Sequence, residues 1–148
     1  MKSLLTDYPV ASPSCRYLTD EKRKLHIEEY AGRIVLDDLK DVAAMVASDP
    51  ACGGTLHRLI DLSDARLDLT SDEVLRYALL MRKESHRAEG WNVFAVSDAT
   101  SFSIVRMFSQ WARTSERSRF FSSREEAEAW LDRNVSSTQG EAAVKQVA

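Results

Sequence analysis

The apolar positions of this chain change period several times, and each change predicts an element. Over residues 15–19 and 24–30 they alternate with polar ones, Leu25 and Ile27 against His26, Glu28 and Tyr30, and the polar run Asp20-Glu21-Lys22-Arg23 joins the two stretches. That pattern predicts an antiparallel hairpin, ended by Gly32. The period then lengthens. Leu36, Leu39, Ala43 and Val46 share one helical stripe behind Asp37 or Asp38 as cap, and Asp49-Pro50 stops it. Residues 51–55 carry Gly53-Gly54 and read as a loop; they feed a strand rather than a helix and match neither phosphate-binding fingerprint.

The run Arg58-Leu59-Ile60-Asp61-Leu62 has a β-branched centre and is closed by Ser63-Asp64, which predicts a central strand covered on both faces. Thr70 precedes Glu73 by three residues at the head of Leu75, Ala78 and Leu79, a capping box opening a helix. Residues 91–97 form a second buried strand. Ser97, Asp98 or Thr100 then caps a helix whose Ile104, Phe108 and Trp111 share a face. Residues 118–121 make the last strand, and Ser123 with Glu126 repeats the capping box ahead of Ala127, Trp130 and Leu131, in a helix ending near Asn134. The order β-β-α-β-α-β-α-β-α predicts an α/β fold: a mixed sheet with an opening antiparallel hairpin and helices as crossovers between parallel strands. Residues 14–134 form the expected domain, 1–13 a flexible arm with Pro9 and Pro13, and 135–148 a disordered tail.

With 148 residues, there is room for one core. A net charge of -3 argues against a dedicated nucleic-acid binder, and Arg113, Arg117, Arg119 and Arg124 read as solvated surface. No apolar run approaches the ~20 residues that cross a bilayer, and no signal-type core follows Met1, so a cytoplasmic chain with no membrane partner is expected. Cys15 and Cys52 stand far apart and outside any Cys-x-x-Cys pair, as reduced, inert thiols would.

The succession AGRIVLDDLKDVAA, LIDLSDARLDLTSDEVLRYA, WNVFAVSDATSFSIVRMF and RFFSSREEAEAWL resembles the SpoIIAA-like proteins. These are small bacterial relatives of the STAS domain, the sulfate transporter and anti-sigma factor antagonist module. The resemblance spans about Cys15 to Asn134 and rests on the Asp61-Leu62 strand end, Arg106-Met107-Phe108 and Glu126-Ala127-x-Ala129-Trp130-Leu131. It implies a STAS-like sheet and a regulatory role met through a protein partner. In the antagonists a phosphorylatable Ser lies at the start of the helix after the central strand. The matching positions here are Thr70 and Ser71, without the Gly-Leu continuation of the antagonist motif; the capping box accounts for the same letters.

Three functions compete. The leading one is a non-enzymatic regulatory or interaction module that meets a protein partner or a second copy through the rim beside Thr70 and the helix after Asp98. Arg106, Met107 and Trp111 are its interface candidates, because that helix is more apolar than one buried face requires. The second is a small-molecule or lipid-binding domain of the Sec14-like type, a fold analogy; a domain of this size is expected to leave little of the ~300 to 1,000 Å³ that ligand pockets occupy. The third is a small metal-dependent enzyme using Asp61, Asp64 and Asp98, with His57 or His86 as base. Each of those residues also has an ordinary structural role, so neither a catalytic residue, a metal nor a cofactor is expected.

Overall fold

The hairpin opens the fold, with β1 (Ser14–Asp20) antiparallel to β2 (Leu25–Ile34). The computed structural model describes residues 14–84 and 90–136. The expected arm, His86 and residues 137–148 of the expected tail lie outside the described residues. Three further strands follow, β3 (His57–Leu67), β4 (Asn92–Val96) and β5 (Ser118–Phe121), each parallel to its predecessor from β2 onward. The sheet order is β1-β2-β3-β4-β5, so every crossover steps in the same direction. Connections of one hand then put their helices on one face. These helices are α1 (Leu36–Ser48), α3 (Ser71–Glu84) and α4 (Ala99–Trp111); a short α2 (Pro50–Gly53) lies between α1 and β3. The expected α/β class and the mixed sheet are both present.

The two sheet faces have separate cores. On the first, Tyr30, Ile34, Ile60, Leu62, Phe94 and Val96 meet Leu39 and Val42 of α1, Val74 and Tyr77 of α3, and Ile104 and Val105 of α4. The second is covered by α5 (Arg124–Leu131), whose Ala127 and Leu131 pack on Leu25, Ile27, Leu59, Val93 and Ala95.

Several sequence expectations are corrected. Gly32 does not end β2: it sits at φ 84 inside the strand, a conformation suited to glycine, and pairing continues to Ile34. Ser63-Asp64 does not close β3 either. Between the pairs Glu29↔Asp61 and Ala31↔Asp64, β3 holds one residue more than β2, and this bulge shifts the alternation by one. Ile60 and Leu62 face the α1–α3–α4 side before it; Ala65 and Leu67 face that side after it.

The α1 cap is Val35 rather than Asp37 or Asp38; the Asp38 carboxylate instead accepts from the Val35 amide at 2.9 Å. The expected loop at 51–55 is partly α2, where Asp49 Oδ1 accepts from the Ala51 amide and Pro50 occupies the first turn, a position that needs no amide donor. The Thr70–Glu73 capping box forms reciprocally: the Thr70 amide donates to Glu73 and the Glu73 amide to Thr70 Oγ1. Yet α3 buries Val74, Tyr77 and Ala78, leaving Leu75 and Leu79 exposed. Two apolar stripes overlap on this helix, and packing against the sheet and α4 selected the one with the aromatic ring. A wider π-helical turn, Asp132–Ser136, follows α5 and buries Val135 to 2% exposure.

Candidate functional site

Because β2 and β3 are covered on both faces, the residues along their first halves are buried or half-buried, charged ones included. Side chains alternate along β2, so His26, Glu28 and Tyr30 point to the α1–α3–α4 side. Glu28 is 4% exposed. Its Oε2 lies 2.8 Å from His26 Nε2 and accepts from Arg58 Nη2 at 3.0 Å, while Oε1 accepts from the Tyr30 hydroxyl at 2.7 Å. Burial pushes this carboxyl up, but Arg58, His26 and Tyr30 outweigh it and hold it down at about 2. Burial and the adjacent Glu28 push the Tyr30 hydroxyl far up, so it stays a donor. The alternating strand letters concealed this group, since His26, Glu28 and Tyr30 resemble the solvent face of a hairpin. The available signal was Arg58 opening the strand read as buried on both faces: such a charge needs a partner.

Register brings a polar row together at the amino-terminal ends of the parallel strands. His26 pairs with Arg58, and Arg58 with Asn92. Above this row lies a cavity of about 580 Å³. Ala43, Val46 and Ala47 of α1 wall it on one side, with Cys52 and Gly53 of α2; Met81 of α3, Phe108 of α4 and Ala112 just after α4 wall it on another. Small residues on α1 and α2 leave the space unfilled. Gly90 fixes the rim, because a Cβ there would stand 1.6 Å from the Leu56 carbonyl oxygen. The expectation of little spare volume is thereby corrected; Thr70 stands away from this space, at the opposite, carboxyl-terminal end of the strands.

The residues singled out from sequence scatter. Asp61 faces α5, accepting from Ser63 and from Arg124 Nη1 at 2.9 Å. Asp64 is exposed on β3, and Asp98 caps α4 by accepting from the Ser101 amide and hydroxyl. His57 is buried, and its Nδ1 accepts from the Trp91 amide at 3.0 Å; burial and then Arg117 lower its pKa. Among the described residues no three His, Cys, Asp or Glu side chains are grouped to hold a metal ion. Thr70 and Ser71 are exposed at the head of α3. Arg106 is exposed over the Phe102 ring, whereas Met107 and Trp111 are half-buried against the helix-covered core. Burial, then Asp38 and other carboxylates, pushes the Cys15 thiol up to about 12, and burial raises Cys52, so neither offers a thiolate.

Sheet order, the antiparallel edge and helices on both faces have a counterpart among solved structures. A DUF3478-family protein from Shewanella loihica, described as having a SpoIIAA-like fold, superposes with a TM-score of 0.54 at 15% identity, covering 85% of this chain and 98% of that one. The fold is SpoIIAA-like. Comparison with protein-family models and with curated proteins gave no match. Among the described residues of this SpoIIAA-like domain, no helix is long and apolar enough to cross a membrane.

Proposed function

We propose that this SpoIIAA-like domain is a non-enzymatic binding module of regulatory type, working in the cytoplasm without nucleic-acid or membrane partners, and that it holds a small amphipathic molecule in the cavity beneath α1 and α4. The cavity carries this reading. Its volume of about 580 Å³ lies within the ~300 to 1,000 Å³ of ordinary ligand pockets, which combine apolar walls with a few placed polar groups. Here the walls are Val46, Met81 and Phe108, and the polar groups are His26, Arg58 and Asn92. The test is titration with Nile red, a neutral dye that brightens in apolar surroundings. Wild type is expected to saturate with one dye per chain. Ala47→Trp, an exposed position bordering the cavity, is expected to weaken binding about tenfold, or by 1.4 kcal/mol, with the fold retained by circular dichroism. No binding by wild type, or equal binding by both, overturns the reading.

Exposed apolar side chains favour a second reading, docking of a protein partner or second copy. Leu75 and Leu79 on α3 are 38% and 45% exposed, and Phe102 on α4 is 37% exposed beside Arg106. Exposed apolar side chains of this kind suit the periphery of an interface, and phosphate on Thr70 or Ser71 would add charge at the head of α3. Sedimentation checks the second copy: self-association abolished by Leu79→Glu supports it, and a monomer at high micromolar concentration excludes that copy.

A further inference from the structure

Resting on the cavity as the binding site, we infer that its ligand is an uncharged apolar molecule bearing a hydrogen-bond acceptor, such as the carbonyl of an amide, ketone or ester, seated against Arg58. The charges around the cavity decide this. Glu28 and Asp49 contribute two carboxylates and Arg58 one guanidinium. Neither carboxylate lacks donors. Glu28 is held by His26, Tyr30 and Arg58, and Asp49 accepts from the Tyr17 hydroxyl and the Ala51 amide, each at 2.9 Å. A cationic head would find no carboxylate short of partners. An anionic head would meet two carboxylates against a single guanidinium already shared with one of them, in surroundings where screening is weak.

What the site has in surplus is a donor. Arg58 carries five N–H groups; Nη2 serves Glu28, the guanidinium also bonds the Tyr77 hydroxyl, and among the described residues Nε is a buried side-chain nitrogen with no hydrogen-bond partner. A buried donor left without an acceptor is costly, and native proteins rarely keep one without a reason. The Arg58 side chain keeps 23% of its surface accessible where it borders the cavity. Asn92, next in register, borders the same space and adds an amide donor and acceptor. A smaller void of about 50 Å³ also touches Arg58; Glu28 and Tyr30 there are already bonded to each other, and Leu62, Val74 and Phe94 make up much of the rest.

The test is calorimetry of the full chain with octanamide, 2-octanone, octanoate and octyltrimethylammonium at neutral pH. Octanamide and 2-octanone are expected to bind about tenfold more tightly than either charged probe. The double variant Glu28→Gln/Arg58→Met, which exchanges the ion pair for uncharged chains of similar length, is expected to erase that difference. If octanoate or the ammonium probe binds as tightly as octanamide, the inference falls, while Nile red binding sensitive to Ala47→Trp leaves the cavity reading standing. If no probe and no dye binds, the two fall together. Should the double variant not fold, the ranking of the four probes on wild type still decides.

Discussion

Glu28 holds a negative charge under a layer of helices, and its three partners make that tolerable. Removing one member of a buried pair leaves the other uncompensated, so Glu28→Gln is expected to cost about 3 to 5 kcal/mol in denaturant unfolding. The pH dependence follows from the depressed carboxyl. Its folded value of about 2 lies below the ordinary 4.5, so the folded state binds this proton less readily than the unfolded chain. The stabilisation is fully present above about 4.5 and is lost as pH falls from there through about 2. Unfolding curves of wild type and Glu28→Gln should therefore converge as the pH is lowered across that window. A gap independent of pH would mean that the carboxylate is not held as described.

At the scale of elements, α5 illustrates how a short helix is fixed to a sheet. Eight residues form a marginal helix alone, and tertiary contacts supply the rest. Arg124 reaches Glu29 on β2 and Asp61 on β3 through Nη1, and Glu128 through Nε, each at 2.9 to 3.0 Å. Arg23 from the hairpin turn bonds Glu128 and Asp132. Trp130 stands edge-on to Trp91 with ring centroids 5.1 Å apart, and Arg119 lies 4.7 Å from the Trp91 ring centroid. Apolar contact outweighs the ion pairs here, because the latter are partly solvated and worth about 1 kcal/mol at most. Trp130→Ala is accordingly expected to cost about 2 to 3 kcal/mol, less than for a fully buried ring, and Arg124→Gln about 1 kcal/mol or less. Chemical denaturation of both variants checks the ranking, and the reverse order would show the ion pairs to be the stronger tether.

At the scale of the whole molecule, the five strands follow their sequence order, so three crossover helices share one face and, among the described residues, α5 with the turn after it covers the other. The second face therefore depends on the end of the chain. We propose a domain of residues 14–136 on that ground. A chain ending at residue 136 should melt as the full-length protein does, whereas one ending at residue 134 loses Val135, whose burial is worth about 1.5 to 3 kcal/mol. Equal melting temperatures for the two truncations would show that the turn after α5 does not seal the second core.

Local chemistry was legible in the letters. The Thr70–Glu73 capping box, the Asp98 and Ser123 caps and the apolar centres of β3 and β4 depend on neighbours within a few residues, and the element order with its α/β class follows from them. Other features needed the fold. Gly32 stays in β2 and β3 runs through Ser63-Asp64 because an adjacent strand offers pairing, which no local window contains. Whether α3 buries Leu75 and Leu79 or Val74 and Tyr77 depends on which stripe meets the sheet and α4. The site was the least visible part: His26, Glu28, Arg58 and Asn92 come from three strands and form one row only through register. The space above them exists because small residues of α1 and α2 face the larger side chains of α3 and α4 across it. Sequence determines what each short stretch can become; a cavity is the volume that several stretches jointly leave empty, and only their packing fixes it.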